Sequence, residues 1–115
     1  MTSRKEQKDN YKKLTFKVGV FQIRNKVNQK IFIGSSLDLE ASWNRLKMEL
    51  KFGNYPNAEL QNDWKKYGAE NFEFEILSEI KQEDDGKPRN YRREARQLEL
   101  LFIEELQPVG DKGYN

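Results

Sequence analysis

The chain has 115 residues, with 21 lysines and arginines against 19 aspartates and glutamates and a net charge of +2. It holds no cysteine and no histidine. That removes disulfides, thiol nucleophiles, zinc sites of the Cys or Cys/His type, imidazole bases, Ser-His-Asp triads and two-His-one-carboxylate iron sites. Carboxylate, lysine, tyrosine, hydroxyl and arginine chemistry remain, with a hard, oxygen-loving cation as the fitting metal.

The length predicts one domain, since domains typically run roughly 100–150 residues. Apolar residues make up 36% and charged residues 35%, and seven Phe, five Tyr and two Trp supply one modest core. No stretch approaches the roughly 20 apolar residues of a transmembrane helix and no signal peptide is visible. The expectation is a cytoplasmic protein with no membrane role.

Residues 1–30 carry nine basic and two acidic side chains, whereas residues 31–86 carry six basic and twelve acidic ones. A basic end on an acidic body is expected of a nucleic-acid arm or a solvated leader. Residues 1–14 are therefore set apart as a leader, and 15–115 as a single domain. From Thr15 onward, Phe16, Val18 and Val20 alternate with Lys17, Gly19 and Phe21, the period of a first strand. Residues 25–29 read as a hairpin connection to a second strand, Lys30–Gly34. Asp38 is an N-cap for a helix from about Leu39 to Lys51, with Leu39, Trp43, Leu46 and Leu50 on one face and Gly53 as its stop. Asn57 caps a second helix holding Leu60 and Trp64 and ending at Gly68. The two tryptophans sit at core spacing. Phe72, Phe74 and Ile76, alternating with Glu73 and Glu75, mark a third strand. After a polar connection over Gln82–Asn90, a third helix runs from about Tyr91 to Leu106, with Tyr91, Ala95, Leu98, Phe102 and Leu106 facing the core and Pro108 ending it. The fold class is α+β, a small mixed or antiparallel three-stranded sheet flanked by helices in the order β-β-α-α-β-α.

Two short strands each present a glycine beside an aromatic: Gly19-Val20-Phe21 and Phe32-Ile33-Gly34. This pair resembles the double signature of the GIY-YIG nuclease family. Ser35-Ser36-Leu37-Asp38-Leu39 resembles the family's lead-in to its first helix. Leu60, Gln61, Trp64, Lys66, Tyr67 and Gly68 resemble a segment common in its homing-endonuclease-like branch. The run Phe72–Leu77, then Glu99, Phe102, Ile103 and Gly113-Tyr114-Asn115, resemble the closing elements. The resemblance covers about residues 16–115.

What the resemblance implies is a compact DNA-cutting domain in which two tyrosines, one arginine and one glutamate cluster in a groove. The glutamate holds a single divalent cation, a tyrosine positions or deprotonates the attacking water, and the arginine stabilises developing charge. Transferred onto this sequence, the first tyrosine is Phe21, the second is Phe32 and the arginine is Ser42. Only Glu99 matches, and it is the expected place for Mg²⁺ or Mn²⁺. Asn115 matches a further polar position near the family's site. Phenylalanine keeps the ring and loses the only atom able to donate, accept or titrate, and serine has neither fixed charge nor planar fork.

Candidates to stand in are Arg45, one helical turn beyond Ser42, and Arg96, three residues before Glu99, with the pairing of Arg96 or Arg92 to Glu99 as the plainer expectation. Tyr55, in the loop after the first helix, still has a hydroxyl. Arg89, Arg92, Arg93 and Arg96 cluster at the start of the third helix and, with the basic leader, are the expected DNA contacts. The leading expectation is a catalytically degenerate domain retaining at most DNA binding or a partner-binding role. An active divalent-metal-dependent endonuclease using Glu99, and a protein-interaction module without nucleic acid, are the competitors.

Overall fold

In a computed structural model, residues 16–82 and 89–115 are described. The 1–14 leader and most of the 82–90 connection, on which two of the expectations above rest, lie outside them. Three strands, β1 (Gly19–Asn25), β2 (Ile31–Ser36) and β3 (Phe72–Glu79), form one sheet in the order β2-β1-β3. Both pairings are antiparallel, with Phe21 opposite Gly34 on one side and Ile76 on the other. The helices are α1 (Leu39–Phe52), α2 (Ala58–Tyr67) and α3 (Tyr91–Leu106). The order and class match the α+β expectation, and the sheet is antiparallel rather than mixed.

The helix ends follow their capping chemistry. Asp38 accepts from the Ala41 N–H at 3.2 Å, Asn57 from Leu60 at 3.0 Å and Asn90 from Arg93 at 3.0 Å. Gly53 closes α1 with φ 77°, the left-handed conformation that favours glycine. Below the sheet, α1 and α2 bury Leu39, Leu46, Leu50, Leu60 and Trp64 against Phe21, Ile23 and Phe72. Trp43 stacks on Phe74 at 5.4 Å and meets Trp64 edge-on at 6.1 Å, so both tryptophans are core anchors. Helix α3 packs on β2 and β1 and buries Ala95 and Glu99.

Two expectations need correction. The first strand begins at Gly19, not near Phe16, which is 53% exposed. Val18 through Phe21 are all buried, because β1 is the central strand with helices near both faces, so no clean alternation exists there. The second correction is Leu106, 40% exposed rather than core-facing, at the last turn of α3 where the helix has run past the sheet.

The two signature glycines have separate steric causes. A β-bulge in the β1–β3 ladder falls between Val20 and Phe21. It brings the Ser78 carbonyl so close that a Cβ on Gly19 would lie 2.0 Å from that oxygen. At Gly34 the obstacle is the Phe21 ring, 2.6 Å from where a Cβ would stand. Past the third helix, the chain returns to the free edge of β2. Gly113 bridges Ile31 in parallel, and the Tyr114 N–H donates to the Ile31 carbonyl at 2.9 Å.

Candidate functional site

The β2–α1 junction forms one wall of the site. The Ser36 hydroxyl accepts from the Asp38 N–H at 2.9 Å, and the Ser42 hydroxyl donates to the Asp38 carbonyl at 2.8 Å while also contacting Ser36. Ser42 is thus tied into the first turn of α1, with its hydroxyl committed to local backbone. Ser35, one residue back and on the strand face opposite Phe32, donates to Glu99 Oε1 at 2.8 Å.

A groove of about 700 Å³ opens between this junction and α3. Phe21, Phe32, Ser42 and Glu99 all line it, so the four sequence-derived positions do converge. Arg45, Arg92, Arg96, Tyr55 and Asn115 line it too. Three guanidinium groups therefore meet two carboxylates, Asp38 and Glu99, around one cleft.

The remaining expected arginines go elsewhere. Arg89 ion-pairs with Glu94 through both of that residue's oxygens, holding the Glu94 carboxyl below the usual range. It faces a neighbouring apolar hollow of about 710 Å³, shared with Phe16, Leu37, Tyr91 and Arg92. Arg93 is exposed and lines neither cavity. The four-arginine cluster is thus split: Arg89 precedes the Asn90 cap and lies outside α3, and Arg93, about 100° round the helix from Arg92, does not line the groove that Arg92 and Arg96 share.

Tyr55 is half-buried, its ring edge-on to Phe32 at 6.0 Å. Burial first, then the Glu49 and Glu99 carboxylates, push its phenol up to about 12. Asn115 has a structural reason for its amide: Oδ1 accepts from the Ile33 N–H at 2.8 Å and Nδ2 donates to the Ile33 carbonyl at 2.9 Å. One side chain thereby completes the β2 edge as a strand would. Its neighbour Tyr114 is buried, donating to Asp63 at 2.7 Å and accepting from the buried Asn25 amide at 3.0 Å. Sequence reasoning assigned no role to Ser35. The signal for it is thin, a hydroxyl directly after the second signature.

Glu99 is 6% exposed, and each carboxylate oxygen has a partner: Ser35 on Oε1 and Arg96 on Oε2. The pairing of Arg96 with Glu99 matches the plainer of the two expectations. No group of three or more acidic, Cys or His residues able to hold a metal occurs among the described residues. Mg²⁺ requires a near-octahedral shell of oxygens. Water can fill most of that shell around one carboxylate, but here both Glu99 oxygens are engaged, Oε1 by Ser35 and Oε2 by the Arg96 guanidinium. The residues in place do not fit a resident divalent cation.

A family model described as the GIY-YIG catalytic domain matches residues 17–115. The chain belongs to the GIY-YIG family. Among curated proteins it is similar to Intron-associated endonuclease 1 of Enterobacteria phage T4, 39% identical over 69 residues, which are 60% of this chain and 28% of that relative. The chain thus matches little more than a quarter of the relative's length. Among solved structures, the catalytic domain of homing endonuclease I-TevI superposes with a TM-score of 0.68 at 34% identity, covering 85% of this chain and 96% of that one. A mutant form of the same catalytic domain gives 0.72 at 32% identity, covering 87% and 93%. This is a GIY-YIG nuclease domain related to homing endonucleases. No helix among the described residues is long and apolar enough to cross a membrane.

Proposed function

We propose that this GIY-YIG domain is catalytically silent and uses its groove to bind the phosphodiester backbone of DNA. The observation that carries the reading is the content of the groove itself. Phe21, Phe32 and Ser42 stand where the family resemblance expects two tyrosines and an arginine, while Arg45, Arg92 and Arg96 keep the cleft cationic. Removing one group aimed at a developing charge typically costs about 100- to 1000-fold in rate. Here two phenols and a charge clamp are absent together.

Neither candidate substitute restores what is missing. Tyr55 keeps a hydroxyl in the groove, but a general base works best with a pKa near the operating pH. Its phenol is pushed the other way, to about 12. Arg96 is engaged by Glu99, and Arg45 is exposed on the rim, one turn (about 5 Å) along α1 from Ser42. What the arginines retain is attraction for phosphate, with no module that reads base edges.

The reading is tested by incubating the protein with duplex, nicked, branched and single-stranded DNA in Mg²⁺ or Mn²⁺. Retarded but intact DNA is expected, with affinity falling steeply as salt rises. Cleavage that Glu99→Gln abolishes would overturn the silent assignment. Affinity unmoved by a several-fold rise in salt would overturn the backbone-binding one.

A further inference from the structure

We infer that the Arg96 guanidinium takes the place of a divalent cation at Glu99, so that the groove receives a phosphodiester without any metal. The inference rests on the reading of the groove as a phosphate-binding cleft and adds what neutralises its one buried acid. Glu99 is 6% exposed, so its carboxylate has given up most of its water. An ionised group in that position requires a cation or a dense set of donors. Ser35 provides a single hydrogen bond to Oε1. The formal charge is met by Arg96, three residues earlier on α3, which reaches Oε2.

Spacing on the helix makes this self-contained. Residues three apart lie on the same helix surface, so the guanidinium reaches the carboxylate with no rearrangement of sheet or loop. The Arg96 side chain stays 62% exposed, whereas the Glu99 side chain is buried. Its remaining N–H donors therefore face the cleft and solvent. A phosphate oxygen arriving there meets a planar fork already oriented by Glu99. A dication at the same oxygen would have to displace the guanidinium and then sit beside its positive charge. Arg92, one turn earlier on α3, and Arg45 across the cleft add to that repulsion.

Metal uptake and DNA cleavage are separable in one set of measurements. Mn²⁺ is titrated, with its electron paramagnetic resonance signal as readout, into the wild-type chain, Glu99→Gln, Arg96→Gln, and Arg96→Gln combined with Glu99→Gln. Wild type is expected to take up no Mn²⁺ at the groove. Arg96→Gln should gain affinity by at least roughly tenfold, because the buried carboxylate is left without its counter-ion, and the double variant should lose that gain. In parallel, anisotropy of a labelled duplex oligonucleotide is measured with wild type in EDTA and in Mg²⁺ at matched ionic strength, and equal affinity is expected. Glu99-dependent Mn²⁺ uptake by wild type, no gain in Arg96→Gln, or oligonucleotide binding that requires a divalent ion would each overturn the inference. Such results would leave the silent assignment standing, since that falls only if DNA is cut. Arg96→Lys provides a second variant whose ammonium retains the charge and should keep Mn²⁺ out.

Discussion

The ring of Phe21 lies against Gly34, its partner across the β1–β2 ladder, and fills the space where any Cβ on that glycine would stand. The two family signatures are thus coupled through one contact, and the glycine of the second exists because of the aromatic of the first. On its far side the ring stacks on Phe74 at 5.0 Å. Phe74 and the Gly34 backbone thus both fix its position.

Gly34→Ala should therefore destabilise the domain by about 1–3 kcal/mol, the usual cost of overpacking a filled core. Urea midpoints at constant slope measure it. Phe21→Leu should shrink that penalty, because the two changes share one contact and their effects do not add.

Tyr114→Phe removes the acceptor of the Asn25 amide, which is fully buried, and leaves that N–H without a partner. The expected cost is about 1–3 kcal/mol. Asp63 loses less, since Asn28 still donates to it at 3.3 Å. The same denaturation experiment reports the loss, and an unchanged midpoint would show that the buried amide finds another partner.

Tyr55 and Tyr114 both have phenols raised from 10.0 to about 12, each chiefly by burial. Between those values the unfolded chain has lost a proton that the folded chain still holds. Stability contributed by each phenol is present below pH 10 and is lost as pH rises towards 12. Stability followed across that window should fall in wild type. It should fall less steeply in Tyr55→Phe, which removes a titrating group without disturbing the Asn25 network.

Restoring the family residues by Phe21→Tyr, Phe32→Tyr and Ser42→Arg together tests whether the groove still has nuclease geometry. With Arg96 on Glu99, the triple variant is expected to stay silent in Mg²⁺. Adding Arg96→Gln should release cleavage by roughly 100-fold or more over the triple variant, the scale of one restored charge-stabilising element. Single-turnover assays on duplex DNA read this directly, with Glu99→Gln as the control that must abolish it.

Much of this architecture is legible in local chemistry. Asp38, Asn57, Gly53 and Gly68 bound α1 and α2 where capping rules place them. Central burial erased the period-two signal of β1, since Gly19, Val20 and Phe21 are all inside. The four family positions do meet in one groove, yet their linkage was not readable. Ser42 is held locally by Asp38 and Ser36 in the strand-to-helix turn, whereas the reach of Ser35 to Glu99 depends on that turn meeting α3 some 60 residues later in the chain. Asn115 was legible as a polar position near the site, but not as a strand-like clamp on Ile33, which needs the chain end folded back along β2.

A silent groove that binds DNA backbone must leave the strand uncut. The most direct measurement is single-turnover incubation of a labelled duplex with excess wild-type protein in Mg²⁺, followed by comparison with Glu99→Gln. Bound, intact DNA and indistinguishable strand lengths for the two proteins are expected. Strand scission by wild type that Glu99→Gln eliminates would contradict the silent assignment.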